Sequence, residues 1–473
     1  MDQLALRSGF HEQTSKRNCA AIHPALLIGC WCVLIIAAFT FYTGVAYSGS
    51  REASGRVGLG RHCYRLCPML DCIPGWSMAG TLPIAAPAAE RTESKSIVQV
   101  SSVPLYVWSA ALAVTSTTFG LYWDISWHMT IGRDTFWTPA HLAIQFGAVL
   151  TGISCAYLIL HTTFAGDACT RDSSVRIWGF RGPLGAFVSA WGGFVMLTSA
   201  PFDNWWHDSF GLDVKILSPP HVVLVVGIFT MGLGGLILIS GRMNLAGPEA
   251  KAPFNRLLLY AGSLLLSLLT MLGYEYLDTT EMHTAMFYRV VGLIGPLVLV
   301  GIARVSGHRW AATIVAAVYT VLWAGAVWIF PLFPAEAKLG PVFTQETHMI
   351  PLNFPVLLLL PAVVIDVVLN HVGSRPKWLQ ASLAGIGFLV TMLVVQWPFA
   401  YFLVSPLART RIFGMNYFPY MVRPSEYHLA WEFVVYEKGR LAFWVGIGIA
   451  LMASVVSARL GLAWGDWMRR VRR

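Results

Sequence analysis

Long apolar runs, separated by short polar segments, follow one another along nearly the whole chain. Runs of this length are typical of α-helices that cross about 30 Å of hydrocarbon, and no alternation typical of strands is evident. Prolines begin several of them, as the first turn of a helix tolerates. The pattern predicts an all-α fold, a polytopic integral membrane helical bundle of about ten to eleven transmembrane helices. The predicted spans are 24–48, 103–122, 139–162, 183–202, 220–241, 256–275, 287–304, 310–331, 352–370, 379–404 and 441–463.

The composition supports lipid as the surrounding medium. Of the 473 residues, 56% are hydrophobic and only 12% are charged, and the mean hydropathy is +0.60. Such a chain cannot present a charged surface to water on all sides, so membrane lipid is its expected partner. The net charge of +9 would suggest nucleic acid as the partner of a soluble protein. Here basic loops account for that charge, and no nucleic-acid binding is expected.

Lys and Arg concentrate in alternate loops of the predicted bundle. The positive-inside rule makes the side with these loops cytoplasmic, which favours a bacterial inner (cytoplasmic) membrane with the opposite loops facing the periplasm. Residues 1–100 break the alternation by one span. They are predicted to be an N-terminal appendage, with a signal-like anchor and a linker rich in Gly, Pro, Ala and Ser. The basic loop residues are Arg171, Arg176, Arg181, Arg242, Lys251, Arg256, Arg304, Arg309, Arg375 and Lys377.

Two connections on the predicted periplasmic side contain an internal repeat. The first begins Asp124-Ile-Ser-Trp-His, continues with a glycine and an aspartate, and ends Thr-Pro-Ala-His141. The second begins Asp203-Asn-Trp-Trp-His, continues likewise, and ends Ser-Pro-Pro-His221. In both copies Asp and His stand four residues apart at the end of one predicted helix, and a second His begins the next. Because positions four apart share a helix face, each copy directs one carboxylate and two imidazoles toward one point.

These side chains form ligand sets for metal ions. One carboxylate with two imidazoles suits copper, iron or zinc more than magnesium or calcium. Three protein ligands leave coordination positions open, as catalytic sites require. Ionisable groups near a membrane are costly and are commonly functional. The predicted metal ligands are Asp124, His128, His141, Asp203, His207 and His221.

The first segment resembles the metal-binding segment of the C subunit of copper membrane monooxygenases, the family of particulate methane monooxygenase and ammonia monooxygenase. The resemblance implies a catalytic copper held by Asp124, His128 and His141. The second segment is similar to a neighbouring copper site of the same subunit. There His207 and His221 match the family, whereas an aspartate at position 203 replaces the family's asparagine. A carboxylate adds negative charge and holds a cation more firmly than an amide.

The C-terminal third resembles the A subunit of the same family. The similar stretches begin at Gly414-Met-Asn-Tyr, Pro424-Ser-Glu-Tyr and Glu437-Lys-Gly. The resemblance implies a C-like region at residues 101–245 and an A-like region at 246–473, fused in one chain.

The resemblance implies an oxidoreductase, a copper-dependent membrane monooxygenase. It would hydroxylate a small apolar or neutral substrate, such as methane, a short alkane or ammonia, with O2 and a reductant such as a quinol. A cupredoxin-like partner subunit and an oligomeric assembly are expected, because in the family a separate subunit supplies the cupredoxin-like domain.

Two alternatives use the same ligands. A membrane transporter or metallochaperone for copper or zinc would place ligands near the bilayer midplane on broken helices, whereas the repeat lies at one face. Asp366 is an exception, an acidic residue within a predicted span. A non-haem iron membrane oxygenase is the second alternative, since two His and one carboxylate suit Fe(II). Glu281 and His283, on the same predicted side as the repeat, are candidates for a further ligand or a proton relay.

Overall fold

The computed structural model describes residues 102–132, 135–211, 218–338, 346–415, 437 and 439–472. The predicted span at 24–48, the appendage at 1–100 and most of the A-like motifs, at 416–436 and 438, lie outside the described residues. Within the described part, the chain forms ten long helices, one short helix and one small β-hairpin.

The described chain alternates long helices with short connections, one of which contains the hairpin. The elements, in chain order, are α1 (Leu105–Thr130), α2 (Pro139–Phe164), α3 (Ala168–Asp172), β1 (Val175–Ile177), β2 (Phe180–Gly182), α4 (Leu184–Phe210), α5 (Pro219–Met243), α6 (Pro248–Leu272), α7 (Ala285–Ser306), α8 (Ala311–Ile329), α9 (Leu359–Val372), α10 (Lys377–Leu403) and α11 (Arg440–Met468). Short 3-10 turns occupy Tyr274–Tyr276, Thr279–Glu281, Phe330–Leu332 and Pro406–Ala408.

The described part of the protein is an all-α bundle with transmembrane character. Eight of its helices are long and apolar enough to cross a membrane, namely α2, α4 to α8, α10 and α11. The total of ten to eleven spans stays a prediction, since one predicted span lies outside the described residues and α9 is only 14 residues long. The predicted boundary at 245/246 falls in the connection between α5 and α6.

Two helices extend well beyond their apolar runs. The sequence predicts spans that end at 122 and 202, but α1 continues to Thr130 and α4 continues to Phe210. The added turns contain the Asp and the first His of each copy of the repeat. The first two ligand side chains of each copy therefore project from helix extensions at the end of the bundle, and the third comes from the first turn of the next helix.

Close helix packing sets the geometry of both hairpins that contain the repeat. A Cβ on Gly192 of α4 would lie 2.3 Å from the backbone nitrogen of Met231 in α5. A Cβ on Gly147 of α2 would lie 2.2 Å from the hydroxyl of Thr117 in α1. Only glycine lets the backbones approach this closely, as in other membrane helix pairs. Since successive helices run in opposite directions, the two hairpins place both ligand clusters at the same end of the bundle.

The predicted span at 352–370 is helical only in its second half. Residues 351–358 are not helical, although Leu352 and Leu358 are fully buried. Pro355 lacks an amide hydrogen and disfavours helical geometry in the residue before it. Non-helical backbone in a membrane protein requires partners from the protein itself. Backbone groups in this segment bond to the side chains of Tyr274, Trp323 and Gln396, at 3.2, 2.8 and 3.0 Å.

Asp366, the acidic residue within that span, caps a neighbouring helix. Its carboxylate accepts hydrogen bonds from the backbone amides of Ala312 and Thr313, at 3.1 and 2.8 Å, and from the Thr313 hydroxyl at 2.7 Å. These amides are unpaired donors in the first turn of α8, where the helix dipole also favours an anion. The burial of this carboxylate thus has a structural explanation.

Candidate metal centre

The first half of the repeat forms a compact ligand cluster. Oδ1 of Asp124 lies 3.9 Å from Nε2 of His128, which is one turn further along α1. It lies 3.1 Å from Nε2 of His141, which comes from the first turn of α2. Within the described part of the chain, these residues are the one group of three His, Cys, Asp or Glu whose ligand atoms all lie within 4.8 Å of one another.

A backbone hydrogen bond orients one of the two imidazoles. Nδ1 of His141 lies 2.9 Å from the carbonyl oxygen of Thr135. A carbonyl can only accept, so Nδ1 donates, and Nε2 of the neutral ring presents a lone pair to Asp124. This arrangement, in which the distal nitrogen bonds a carbonyl, is common for metal-binding histidines. The Thr138 hydroxyl accepts from the amide of Thr135 at 3.0 Å and so fixes the turn that supplies the carbonyl.

The second half of the repeat is similar but less compact. Oδ1 of Asp203 lies 3.5 Å from Nε2 of His207 and 3.6 Å from Nε2 of His221. This group does not meet the 4.8 Å limit for all ligand atoms, so the two imidazoles are its most widely separated pair. Nδ1 of His207 donates to the carbonyl of Gly211 at 3.0 Å. In this cluster the carbonyl orients the histidine of the preceding helix, whereas in the first cluster the Thr135 carbonyl orients the histidine of the following helix.

The two copies share a glycine and a proline that set the backbone around the ligands. A glycine follows the first His by four residues in each copy, and both Gly132 and Gly211 have positive φ, at 78° and 85°. Such backbone conformations suit glycine and end the helix directly after the ligands. A proline begins the next helix in each copy, so His141 and His221 both occupy its third position. The aspartates at 134 and 213 lie outside the described residues.

The clusters contain buried acceptor atoms that fit a bound cation. Oδ1 of Asp124 and Oδ1 of Asp203 are buried, and no group of the described chain donates a hydrogen bond to either. In each cluster this same oxygen faces two imidazole nitrogens. Two acceptors 3.1 Å apart repel each other unless a cation or a proton lies between them. The donor set and its open side therefore fit a metal ion with one carboxylate and two imidazole ligands.

Aromatic residues adjoin the ligands of both clusters along the chain. Phe136 and Trp137 pack edge to face beside the first, with ring centroids 4.8 Å apart. On α4, Trp206 contacts Phe210 at 4.4 Å, and Trp205 is 54% exposed. The first cluster is open on one side, since the His128 side chain is 49% exposed and that of Asp124 only 18%.

The end of α1 is held by a segment that the repeat did not indicate. The Ser126 hydroxyl donates to the carbonyl of Ile350, and the Thr130 hydroxyl accepts from the amide of Ile350, at 2.5 and 2.8 Å. Both hydroxyls lie on the same turns as Asp124 and His128. The connection between α8 and α9 thus supports the first cluster from behind, across more than 200 residues of sequence. Only the small polar residues between the ligands hinted at this contact.

Glu281 and His283 form a separate polar site at the same end. His283 is buried against Trp397 and Tyr401, with ring centroids 4.6 and 4.3 Å apart. Burial lowers the pKa of His283, and burial raises the pKa of Glu281. Glu437 also acts on Glu281, and its carboxylate accepts from the amide of Ala285 at 3.0 Å. Neither Glu281 nor His283 belongs to the two ligand clusters.

Comparisons of the chain with protein-family models, with curated proteins and with solved structures find no match.

Proposed function

We propose that the protein is a copper-dependent membrane oxidoreductase, a monooxygenase acting on a small apolar or neutral substrate. The observation that carries this proposal is the cluster of Asp124, His128 and His141, whose ligand atoms all lie within 4.8 Å at one end of a membrane bundle. The resemblance of the repeat to copper membrane monooxygenases supports copper in particular. The proposed substrates are methane, a short alkane or ammonia, with O2 and a quinol-type reductant.

The residues of the first cluster have distinct tasks. Asp124 supplies the negative charge, His141 is held in one tautomer by the Thr135 carbonyl, and His128 stands on the exposed side. Copper, when bound, supplies the one-electron chemistry that O2 activation needs. Substrates of this kind have almost no polar groups, so exclusion of water and apolar surroundings must select them. Phe136 and Trp137 supply such surroundings beside the cluster.

The second cluster is proposed as a further copper site. Asp203, His207 and His221 have the same donor types, and a carboxylate replaces the amide that the resemblance would imply. A cupredoxin-like partner subunit and an oligomeric assembly belong to the same proposal, as does an inner-membrane location with the clusters on the periplasmic side.

A metal transporter is the second candidate, because the span that ends in α9 is helical only in part, like the discontinuous helices that transporters use. The contacts of α9 argue against this function. Its non-helical segment bonds to Tyr274, Trp323 and Gln396, and Asp366 caps α8. Neither set of ligands lies on α9. An iron oxygenase keeps the same cluster and differs only in the metal.

The test measures metal content and turnover in membranes that contain the full-length protein. Wild type is expected to bind copper and to incorporate isotopically labelled oxygen from O2 into methane, a short alkane or ammonia when a quinol is supplied. His128→Ala should lose both properties, while His371→Ala, at the other end of the bundle, should keep both. Copper flux into proteoliposomes without oxygen incorporation would favour the transporter, and iron in place of copper would favour the iron oxygenase.

A further inference from the structure

The β-hairpin between α2 and α4 has one apolar face and one cationic face. Its strands pair Val175 with Gly182, Arg176 with Arg181, and Ile177 with Phe180. Paired residues project to the same face of a hairpin, and neighbouring positions along a strand project to opposite faces. The two arginines therefore share one face, and the apolar residues share the other. This hairpin lies at the end of the bundle opposite to the ligand clusters.

The apolar face packs on the rim of the bundle. A Cβ on Gly182 would lie 3.1 Å from Ile159 of α2 and 3.3 Å from Phe187 of α4. Phe180 meets Phe164, the last residue of α2, edge to face at 6.5 Å. The cationic face is thereby directed away from α2 and α4.

The two arginines of that face lack a carboxylate partner. Arg304 and Lys377 form ion pairs with Asp466, whereas neither hairpin arginine pairs with a carboxylate of the described residues. Arg181 donates to the backbone carbonyl of Arg171 at 3.1 Å, and Arg176 is exposed. Like charges directly opposite each other weaken a strand pair unless an anion lies between them. The pairing is therefore suited to an anionic ligand.

The tip of the hairpin reaches the lipid-facing surface of a membrane-spanning helix. Trp178 is 87% exposed and has φ of 49°, the one non-glycine residue with positive φ in the described chain. Its ring lies 6.4 Å from that of Trp191, which is itself 54% exposed and stands two turns inside α4. Exposed tryptophans at this depth are typical of the bilayer interface. The positive φ of Trp178 is a conformation that residues other than glycine rarely adopt, and it directs the indole toward Trp191.

We infer that this hairpin is a binding site for an anionic phospholipid. Arg176 and Arg181 would bind the phosphate, and Trp178 would insert beside Trp191 at the level of the acyl chains. Two carboxylates, those of Asp167 and Asp172, precede the hairpin in the sequence. Asp167 accepts a hydrogen bond from the amide of Thr170 at 2.7 Å, and neither carboxylate forms an ion pair with the hairpin arginines in the described chain. Basic residues near an anionic leaflet strengthen lipid binding, and guanidinium groups bind phosphate with two parallel hydrogen bonds.

The test uses the full-length protein in nanodiscs of phosphatidylcholine or of an equimolar mixture with phosphatidylglycerol. Native mass spectrometry measures the relative affinity for the two lipids. Each arginine contributes about fivefold, so the double change Arg176→Gln and Arg181→Gln should lower the preference for phosphatidylglycerol by about 25-fold. Arg375→Gln, an exposed arginine in the connection between α9 and α10 at the same end, should leave it unchanged. Arg176→Lys with Arg181→Lys should retain most of it.

Hydrogen exchange gives an independent measurement at the hairpin. The amides of Trp178 and Gly179 should exchange more slowly in the mixed lipid than in phosphatidylcholine, and soluble glycerol phosphate should not reproduce this effect. Equal affinity of wild type for both lipids, or a preference that survives the double Gln change, would overturn the inference. Equal protection of the hairpin in phosphatidylcholine alone would show that an anionic headgroup is not required and would also overturn it.

Discussion

Nε2 of His141 lies 3.1 Å from Oδ1 of Asp124, although the two residues belong to different helices of one hairpin. The contact joins the end of α1 to the start of α2, and the intervening turn fixes the tautomer of the imidazole. The lone pair on Nε2 of His141 thus faces the carboxylate of Asp124, and a metal ion between them would remove their repulsion.

Loss of a single ligand should abolish tight metal binding at the first cluster. His141→Ala removes one of three ligands. Loss of a contact that only supports a ligand lowers metal affinity roughly 10- to 100-fold, so the loss of a ligand itself should lower copper affinity by more than this. Competition with a chelator and metal analysis of the purified protein measure the change. His161→Ala, near the other end of the same helix, is the matched control. Equal loss in both variants would show that the change acts through folding.

The turn before α2 should tune the same site without supplying a ligand. Thr138→Val removes the hydroxyl that accepts from the Thr135 amide at 3.0 Å, and so loosens the carbonyl that orients His141. We expect about tenfold weaker copper binding, and Thr138→Ser should restore it. Unchanged affinity in the Val variant would mean that the turn holds its shape without this bond.

Asp203 should matter through its charge at the second cluster. Asp203→Asn keeps the shape of the side chain but removes the negative charge that faces His207 and His221. The second metal should then bind more weakly, while the first cluster keeps its affinity. Titration of the metal-free protein, followed by metal counting, separates the two sites. If both sites weaken equally in this variant, the clusters are coupled rather than independent.

Close packing of α4 on α5 should tolerate no side chain at Gly192. A methyl group there would meet the Met231 backbone nitrogen at 2.3 Å, so Gly192→Ala must push the helices apart. Overpacking of this kind costs about 1–3 kcal/mol. Unfolding in mixed detergent micelles should show the loss. Gly152→Ala on α2 is the control, because a Cβ there meets nothing within 4 Å.

His283 should make the fold less stable as the pH falls. Burial holds the pKa of this imidazole below its ordinary value of 6.5, so the unfolded chain takes up a proton before the folded protein does. Its full contribution to stability is present above pH 6.5 and declines below it. The slope for one proton is at most about 1.4 kcal/mol per pH unit.

His283→Phe should flatten this dependence between about pH 5 and pH 7. Thermal unfolding in detergent at several pH values measures it, with exposed His348→Phe as the control. Burial raises the pKa of Glu281, so its stabilising contribution is fully present below its ordinary value of 4.5 and declines as the pH rises from there through the raised value. This slope is opposite in sign to that of His283 and is present in wild type and in both variants, so the difference between them isolates His283. A slope that stays the same in the Phe variant would contradict the prediction.

Hydrophobic pattern predicted the fold class, because lipid demands long apolar helices whatever their neighbours are. It misplaced the ends of α1 and α4, since the turns around Asp124 and Asp203 are polar yet remain helical. The apolar pattern also predicted a full helix over 352–370. There Pro355 and side chains from distant elements replaced helical hydrogen bonds, and no local pattern shows such partners.

The spacing of Asp and His residues in the sequence predicted part of the candidate site. Positions four apart share a helix face, so the pairing of Asp124 with His128 followed from the sequence, and the Thr-Pro-x-His runs indicated where the third ligands begin. The carbonyls that orient His141 and His207 could not be predicted from the sequence, because every residue has a backbone carbonyl. The contact of Ser126 with Ile350 joins segments 224 positions apart.

The non-helical segment before α9, at 351–358, has a consequence for biogenesis. Its backbone depends on Tyr274 and Trp323, which are synthesised earlier, and on Gln396, which is synthesised later. Until α10 has emerged from the ribosome, the amide of Leu357 lacks its acceptor and cannot rest in lipid without cost. The insertion machinery must therefore release this segment together with α10, so the support behind Ser126 and the first cluster is completed only late in synthesis.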